Sequence, residues 1–122
     1  MILGLDHVAI PMPAGREEEA VAFYAGILGL QELEKPPLLG TRGGVWFRVA
    51  DGRQLHLQSE SQFTPLERPH PAFVCDVDQV GRVIALDWDD AIPHRRRGYA
   101  KDPFGNRIEF IEPAPSAKPN LA

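Results

Sequence analysis

The sequence predicts an α+β protein in which one βαβββ unit is used twice. Three observations predict it. Asp102-Pro103-Phe104-Gly105-Asn106 is rich in turn formers, and Arg107, Ile108, Glu109 and Phe110 follow it in polar–apolar alternation, the pattern of a half-buried strand entered through a tight turn. Val49 to Leu57 repeats that arrangement: with Gly52 set on Gly105, Leu55 falls on Ile108, His56 on Glu109 and Leu57 on Phe110. The residues up to Glu60 read in the order strand, helix, strand, strand, strand.

Leu3 to Met12 forms the first strand, with His7, Ala9 and Pro11 on one face and Val8 and Ile10 on the other. Pro11 and Pro13 end it. A helix then begins with Glu17, Glu18 and Glu19 in its first turn, where the helix dipole favours acids, and Ala20, Phe23, Tyr24, Ile27 and Leu28 form one apolar stripe. Gly29 stops the helix. Leu30 to Glu34 gives a short second strand, and a loop runs to Gly44, the kind of loop that often borders a binding site. Val45–Val49 and Gln54–Gln58 make a hairpin around Asp51-Gly52, with Trp46 and Arg48 on one face and Gln54, His56 and Gln58 facing alike on the second arm.

Phe63 to His70 links the halves. The second half opens at Pro71 to Val77, and matching it to the first strand sets Ala72 against His7, with His70 two residues upstream on the same face. This half is shorter, so its helix, within Asp78 to Ile84, is a turn or two, weakened by Gly81. Leu86 to Trp88, Arg95 to Lys101 and Arg107 to Glu112 supply its remaining strands.

Composition sets the outer bounds. With 122 residues, 43% hydrophobic and 25% charged, the chain is expected to be a single domain over residues 1–122, divided into a module at 3–60, a shortened module at 70–113 and a flexible tail at 114–122. A net charge of -4 argues against nucleic acid or an anionic membrane as partner. The single cysteine, Cys75, cannot form an internal disulfide, and no leader or long apolar run is visible, so a cytoplasmic protein is expected.

Phe23-Tyr24-Ala25-Gly26-Ile27-Leu28-Gly29-Leu30 and Asp102 to Phe110, preceded by Asp6-His7-Val8-Ala9-Ile10, resemble the vicinal oxygen chelate superfamily, which holds glyoxalase, bleomycin-resistance, fosfomycin-resistance and extradiol dioxygenase proteins. The resemblance spans Gly4 to Pro113. It implies a glyoxalase-like fold whose two βαβββ modules curl an eight-stranded mixed sheet around a cavity. It also implies metal ligands on the first and last strands of each module, which here are His7, His56, Ala72 and Glu109. Alanine cannot ligate, and His70 is the possible additional ligand, about 7 Å away along the strand.

Two imidazoles and a carboxylate suit a divalent Zn, Fe, Mn or Ni ion that chelates two adjacent oxygens of a small-molecule substrate as a Lewis acid. Glu109 is also the candidate general base. Arg95 and Arg97, or Arg96, would face the cavity and hold an anionic group, and Trp46 and Arg48 would line it. The expected function is therefore a glyoxalase- or dioxygenase-type metalloenzyme, working as an isomerase or lyase at a carbonyl, an epoxide-opening enzyme or an O₂-inserting one. The alternative is a metal-free protein that binds an antibiotic or other drug, as bleomycin-resistance proteins do. A third is a module that has lost its site with the shortened helix. That thin helix leaves part of a sheet uncovered, and a homodimer is expected to cover it.

Overall fold

The computed structural model describes residues 1–39 and 42–115. The end of the expected tail, residues 116–122, and two residues of the loop before Gly44 lie outside them.

Among the described residues, alternation of apolar and polar residues produces eight short strands. They are β1 (His7–Pro13), β2 (Gln31–Leu33), β3 (Val45–Arg48), β4 (Gln54–Glu60), β5 (Ala72–Val74), β6 (Asp87–Asp89), β7 (Arg97–Lys101) and β8 (Arg107–Ile111). The strands form two four-stranded sheets of the same design, ordered β1-β4-β3-β2 and β5-β8-β7-β6. In each, the first strand pairs in parallel with the last, and the other pairings are antiparallel. That repeated order is the α+β, glyoxalase-like arrangement of two modules. Among the described residues no helix is long and apolar enough to cross a membrane.

The first helix differs from the expected stripe. It starts as α1 (Glu17–Val21) but continues as a π-helix over Ala22–Ile27, where Leu28 N–H donates to Phe23 O at 3.0 Å. A π turn holds more residues than an α turn, so the apolar stripe rotates away beyond Tyr24. Ala20, Phe23 and Tyr24 are buried, whereas Ile27 is exposed. The second helix, α2 (Val77–Gly81), is as short as expected. Asp76 caps it by accepting from Asp78 N–H and Gln79 N–H, both at 3.1 Å.

One core serves both modules. Ile10, Met12, Tyr24, Phe47, Leu55 and Leu57 of the first pack with Phe104, Ile108 and Phe110 of the second. The Asp102–Asn106 turn fastens them together. Asp102 Oδ2 accepts from the Tyr24 hydroxyl at 2.7 Å, and Asp102 Oδ1 accepts from Phe104 N–H and Asn106 N–H, each at 2.9 Å. Asn106, fully buried, donates from Nδ2 to Pro11 O at 2.7 Å and accepts from Leu66 N–H at 2.8 Å, which ties β1 and the linker to β8. Every polar atom brought inside here finds a partner, as burial demands. The sequence pattern presented this segment as a turn, and the fold uses it as the joint between modules.

Candidate functional site

The faces turned away from the core carry the candidate residues. On the first sheet His56 lies beside Ala9 across the β1–β4 pair, and His7 lies two residues before Ala9, opposite Gln54. On the second sheet Glu109 lies beside Ala72 across the β5–β8 pair. His56 and Glu109 are equivalent, so Ala72 corresponds to Ala9, and His70, two residues before Ala72, corresponds to His7. This corrects the sequence alignment that set Ala72 against His7. A turn motif alone does not fix the offset of a strand that pairs with it over a long separation, and the ladder does. The four equivalent positions therefore hold His7, His56, His70 and Glu109, with no alanine among them.

Each pair is in contact. The rings of His7 and His56 are stacked with centroids 4.2 Å apart, and Trp46 stacks on the other side of His56 at 3.9 Å. His7 Nδ1–H donates to Asp6 Oδ2 at 2.9 Å, which leaves Nε2 as the free lone pair. His56 Nε2–H donates to Gln54 Oε1 at 2.9 Å and so presents Nδ1. These tautomers follow from the bonding network. Burial, and then the neighbouring His7, hold His56 below the ordinary imidazole pKa, in the neutral form that can ligate.

His70 lies with Nδ1 2.7 Å from Arg68 O and Nε2 2.8 Å from Glu109 Oε1. A carbonyl only accepts, so Nδ1–H donates to Arg68 O, while Nε2 and Glu109 Oε1 lie at hydrogen-bond distance. Glu109 is buried although it faces away from Ile108 and Phe110, because His70, Arg97 and Tyr99 cover it. Tyr99 stands opposite Glu109 as Trp46 stands opposite His56. That equivalence is carried by the repeat itself, since Trp46 and Tyr99 each lie six residues before the turn glycine, Gly52 or Gly105.

The remaining expected residues are distributed unequally. Trp46 lines a pocket of about 340 Å³ with His7, His56, Lys35, Arg42 and Ser59, beneath the loop before Gly44. Lys35 closes that loop by donating to the carbonyls of Gly43 at 2.6 Å and Gly44 at 3.0 Å. Arg48 is exposed on the face of Trp46, opposite Gln54. Arg95 precedes β7, and its Nε donates to Glu112 O at 3.0 Å. The alternation that would pair it with Arg97 does not reach it, because β7 begins at Arg97. Arg96 turns to the other surface, bonded to Asp78 at 2.9 Å and stacked over Trp88. Arg97 alone of the three lies against Glu109, where it is buried.

The donor types, three imidazoles and one carboxylate, fit a borderline divalent ion such as Zn, Fe, Mn or Ni, although His70 Nε2 and Glu109 Oε1 are bonded to each other here. Within one chain the set is divided: among the described residues no three His, Cys, Asp or Glu side chains are grouped so that one ion could bind them.

Two four-stranded sheets of βαβββ order are the glyoxalase-like fold, shared with members of the glyoxalase/bleomycin-resistance/dioxygenase superfamily. The chain is similar to a glyoxalase family protein from Bacillus anthracis, with 42% identity, a TM-score of 0.88 and coverage of 93% of this chain and 98% of the other. It belongs to the glyoxalase family. A glyoxalase/dioxygenase from Nostoc punctiforme matches at 26% identity and a TM-score of 0.69, covering 91% and 92% of the two chains. A fosfomycin resistance protein from Listeria monocytogenes shares the fold at 19% identity and a TM-score of 0.69, covering 97% of each. Neither a family profile nor a curated protein matches the sequence.

Proposed function

We propose that the protein is a homodimeric small-molecule metalloenzyme whose site is shared between subunits. His7 and His56 of one protomer, with His70 and Glu109 of its partner, hold the divalent cation. The observation that carries this reading is the strand register, which sets a ligand pair at the same place on each of two like sheets. The division of the set within one chain supports a second copy as the source of the other half. A cation held by these residues would supply Lewis-acid chemistry to the oxygens of a small-molecule substrate.

The protein's own groups do the rest. Asp6 and Gln54 fix the tautomers of His7 and His56, so that His7 Nε2 and His56 Nδ1 would be the lone pairs available to an ion. Trp46 and the loop beneath which it lies form an aromatic wall for the substrate, and Lys35 holds that loop closed. Glu109, whose Oε1 lies 2.8 Å from His70 Nε2, is the group that would accept a proton. The reading spans isomerisation or lyase chemistry beside a carbonyl, epoxide opening and O₂ insertion. A free, half-buried Cys75 suits a reducing cytoplasm.

The Trp46–His56–His7 stack supports a second reading, a metal-free protein that binds a planar drug-like ligand against that stack. Metal content separates the two. Tag-free protein purified without chelator should carry close to one transition-metal ion per chain, lost in His7→Ala and Glu109→Ala. No metal after reconstitution with Fe(II), Mn, Ni and Zn would sink the enzyme reading and turn the search to ligand-induced thermal shifts.

A further inference from the structure

Arg97 does not lie like a substrate-binding arginine. It is 8% exposed, and its guanidinium is committed to protein partners. Nη1 donates to the Tyr99 hydroxyl and, at 3.4 Å, to Glu109 Oε2, while Nη2 is 3.2 Å from Asp89 Oδ2. Its Nε is buried with no partner. A buried donor left unbonded is unfavourable, so the geometry of Arg97 is dictated by the groups at its far end rather than by its own satisfaction.

The internal repeat gives this arrangement a meaning. Counting back from Trp46 and Tyr99, which stand opposite His56 and Glu109, Arg97 corresponds to Gly44 of the first sheet. A Cβ at Gly44 would come within 2.2 Å of Leu57 O, so no side chain fits there. The sheet whose pair is two imidazoles has no cation at that place, and the sheet whose pair includes a carboxylate has one. The cation accompanies the carboxylate.

We propose that Arg97 is the positioning residue for Glu109, engaging Oε2 so that Oε1, the oxygen that meets His70, is the donor offered to a cation. The inference rests on the metal-site reading above. Asp89 and Tyr99 hold the guanidinium in turn, and Arg107 stacks over Tyr99 at 3.8 Å from the ring centroid. Glu109 Oε2 is thereby held by Arg97, and Oε1, which His70 Nε2 meets at 2.8 Å, stays on the side of the candidate ligands, the arrangement in which a bonded carboxylate orients a ligand.

Calorimetric titration of chelator-treated, tag-free protein with Zn²⁺ and Mn²⁺ tests it. Arg97→Met should weaken metal binding about 10–100-fold, the usual loss when a ligand's orienting partner is removed. Arg97→Lys should recover part of that loss, and Arg97→Met should cost nothing further in a Glu109→Gln background. Equal affinity of wild type and Arg97→Met, or an equal loss in the Glu109→Gln background, would overturn the proposal. Crystal structures of the metal-free wild type and Arg97→Met give a readout that needs no metal. A Glu109 side chain that changes rotamer in the variant supports the positioning role even if wild type takes up no ion, in which case only the metal reading falls. A Glu109 that keeps its place without Arg97 refutes the positioning role whether or not metal binds.

Discussion

His70 Nε2 meets Glu109 Oε1 at 2.8 Å, at the place in the second sheet that His7 and His56 occupy, ring on ring, in the first. The two pairs are related by strand pairing and not by sequence spacing. In the proposed site His70 therefore stands where His7 does, and Ala72 lies beside Glu109 as Ala9 lies beside His56.

The first prediction follows directly. His70→Ala should lose bound metal as completely as His7→Ala, and adding Ala72→His to His70→Ala should not restore it. Metal per chain by plasma mass spectrometry measures both. Restoration by Ala72→His would mean that the ligand position is residue 72 after all.

The joint between modules predicts a stability effect. Tyr24→Phe removes a buried hydrogen bond to the Asp102 carboxylate, and such bonds contribute about 1.5–3 kcal/mol. Burial first, and then Asp102, raise the pKa of Tyr24 far above the ordinary phenol value. The raised pKa means that the stability it contributes is fully present below pH about 10 and is lost as pH rises beyond, where the unfolded chain ionises and the native chain does not. Denaturant unfolding at pH 8 and pH 10.5 should show a decline in wild type that is smaller in Tyr24→Phe. Equal declines would remove Tyr24 as its source.

Two glycines with left-handed backbone give an internal control. Gly44 and Gly52 have φ of 85° and 92°, but a Cβ collides with Leu57 O only at Gly44, and nothing lies within 4 Å at Gly52. Gly52→Ala should cost about 1–2 kcal/mol, the left-handed penalty. Gly44→Ala should cost clearly more and should also disturb the pocket under the neighbouring loop. Equal losses in urea unfolding would contradict the close approach of β3 and β4 at this point.

The fold was legible in the sequence because its signals are local. Alternation in Gln54 to Gln58 and Arg107 to Phe110 marks strands, the turn glycines mark hairpins, and the repeat joins them into two modules. Of the site, His7, His56 and Glu109 could be read from faces and matched positions. The equivalence of His70 with His7 could not, because register over a long loop is decided by pairing and not by any residue near His70. Arg97 was legible only as one of two alternating choices, and its contact with Asp89 required the pairing of β6 with β7. The π turn was invisible, since the same apolar spacing fits an α-helix. The role of Asp102 had one available signal: a tyrosine in an apolar helix stripe needs a partner for its hydroxyl when buried.

Oligomeric state gives a simple check. Light scattering after size exclusion at micromolar concentration should give twice the 13.5 kDa chain mass. A monomer that still binds one metal ion would require all the ligands to come from one chain.

The shared site is tested most directly by complementation. One chain carries His7→Ala and His56→Ala, the other His70→Ala and Glu109→Gln, and the two are co-expressed with different tags, purified as the mixed dimer and freed of the tags. A site shared between subunits leaves one site intact and one without ligands, so the mixed dimer should bind one metal ion while each variant homodimer binds none. A mixed dimer of correct mass that binds no metal, beside a wild type that binds two, would contradict the shared arrangement.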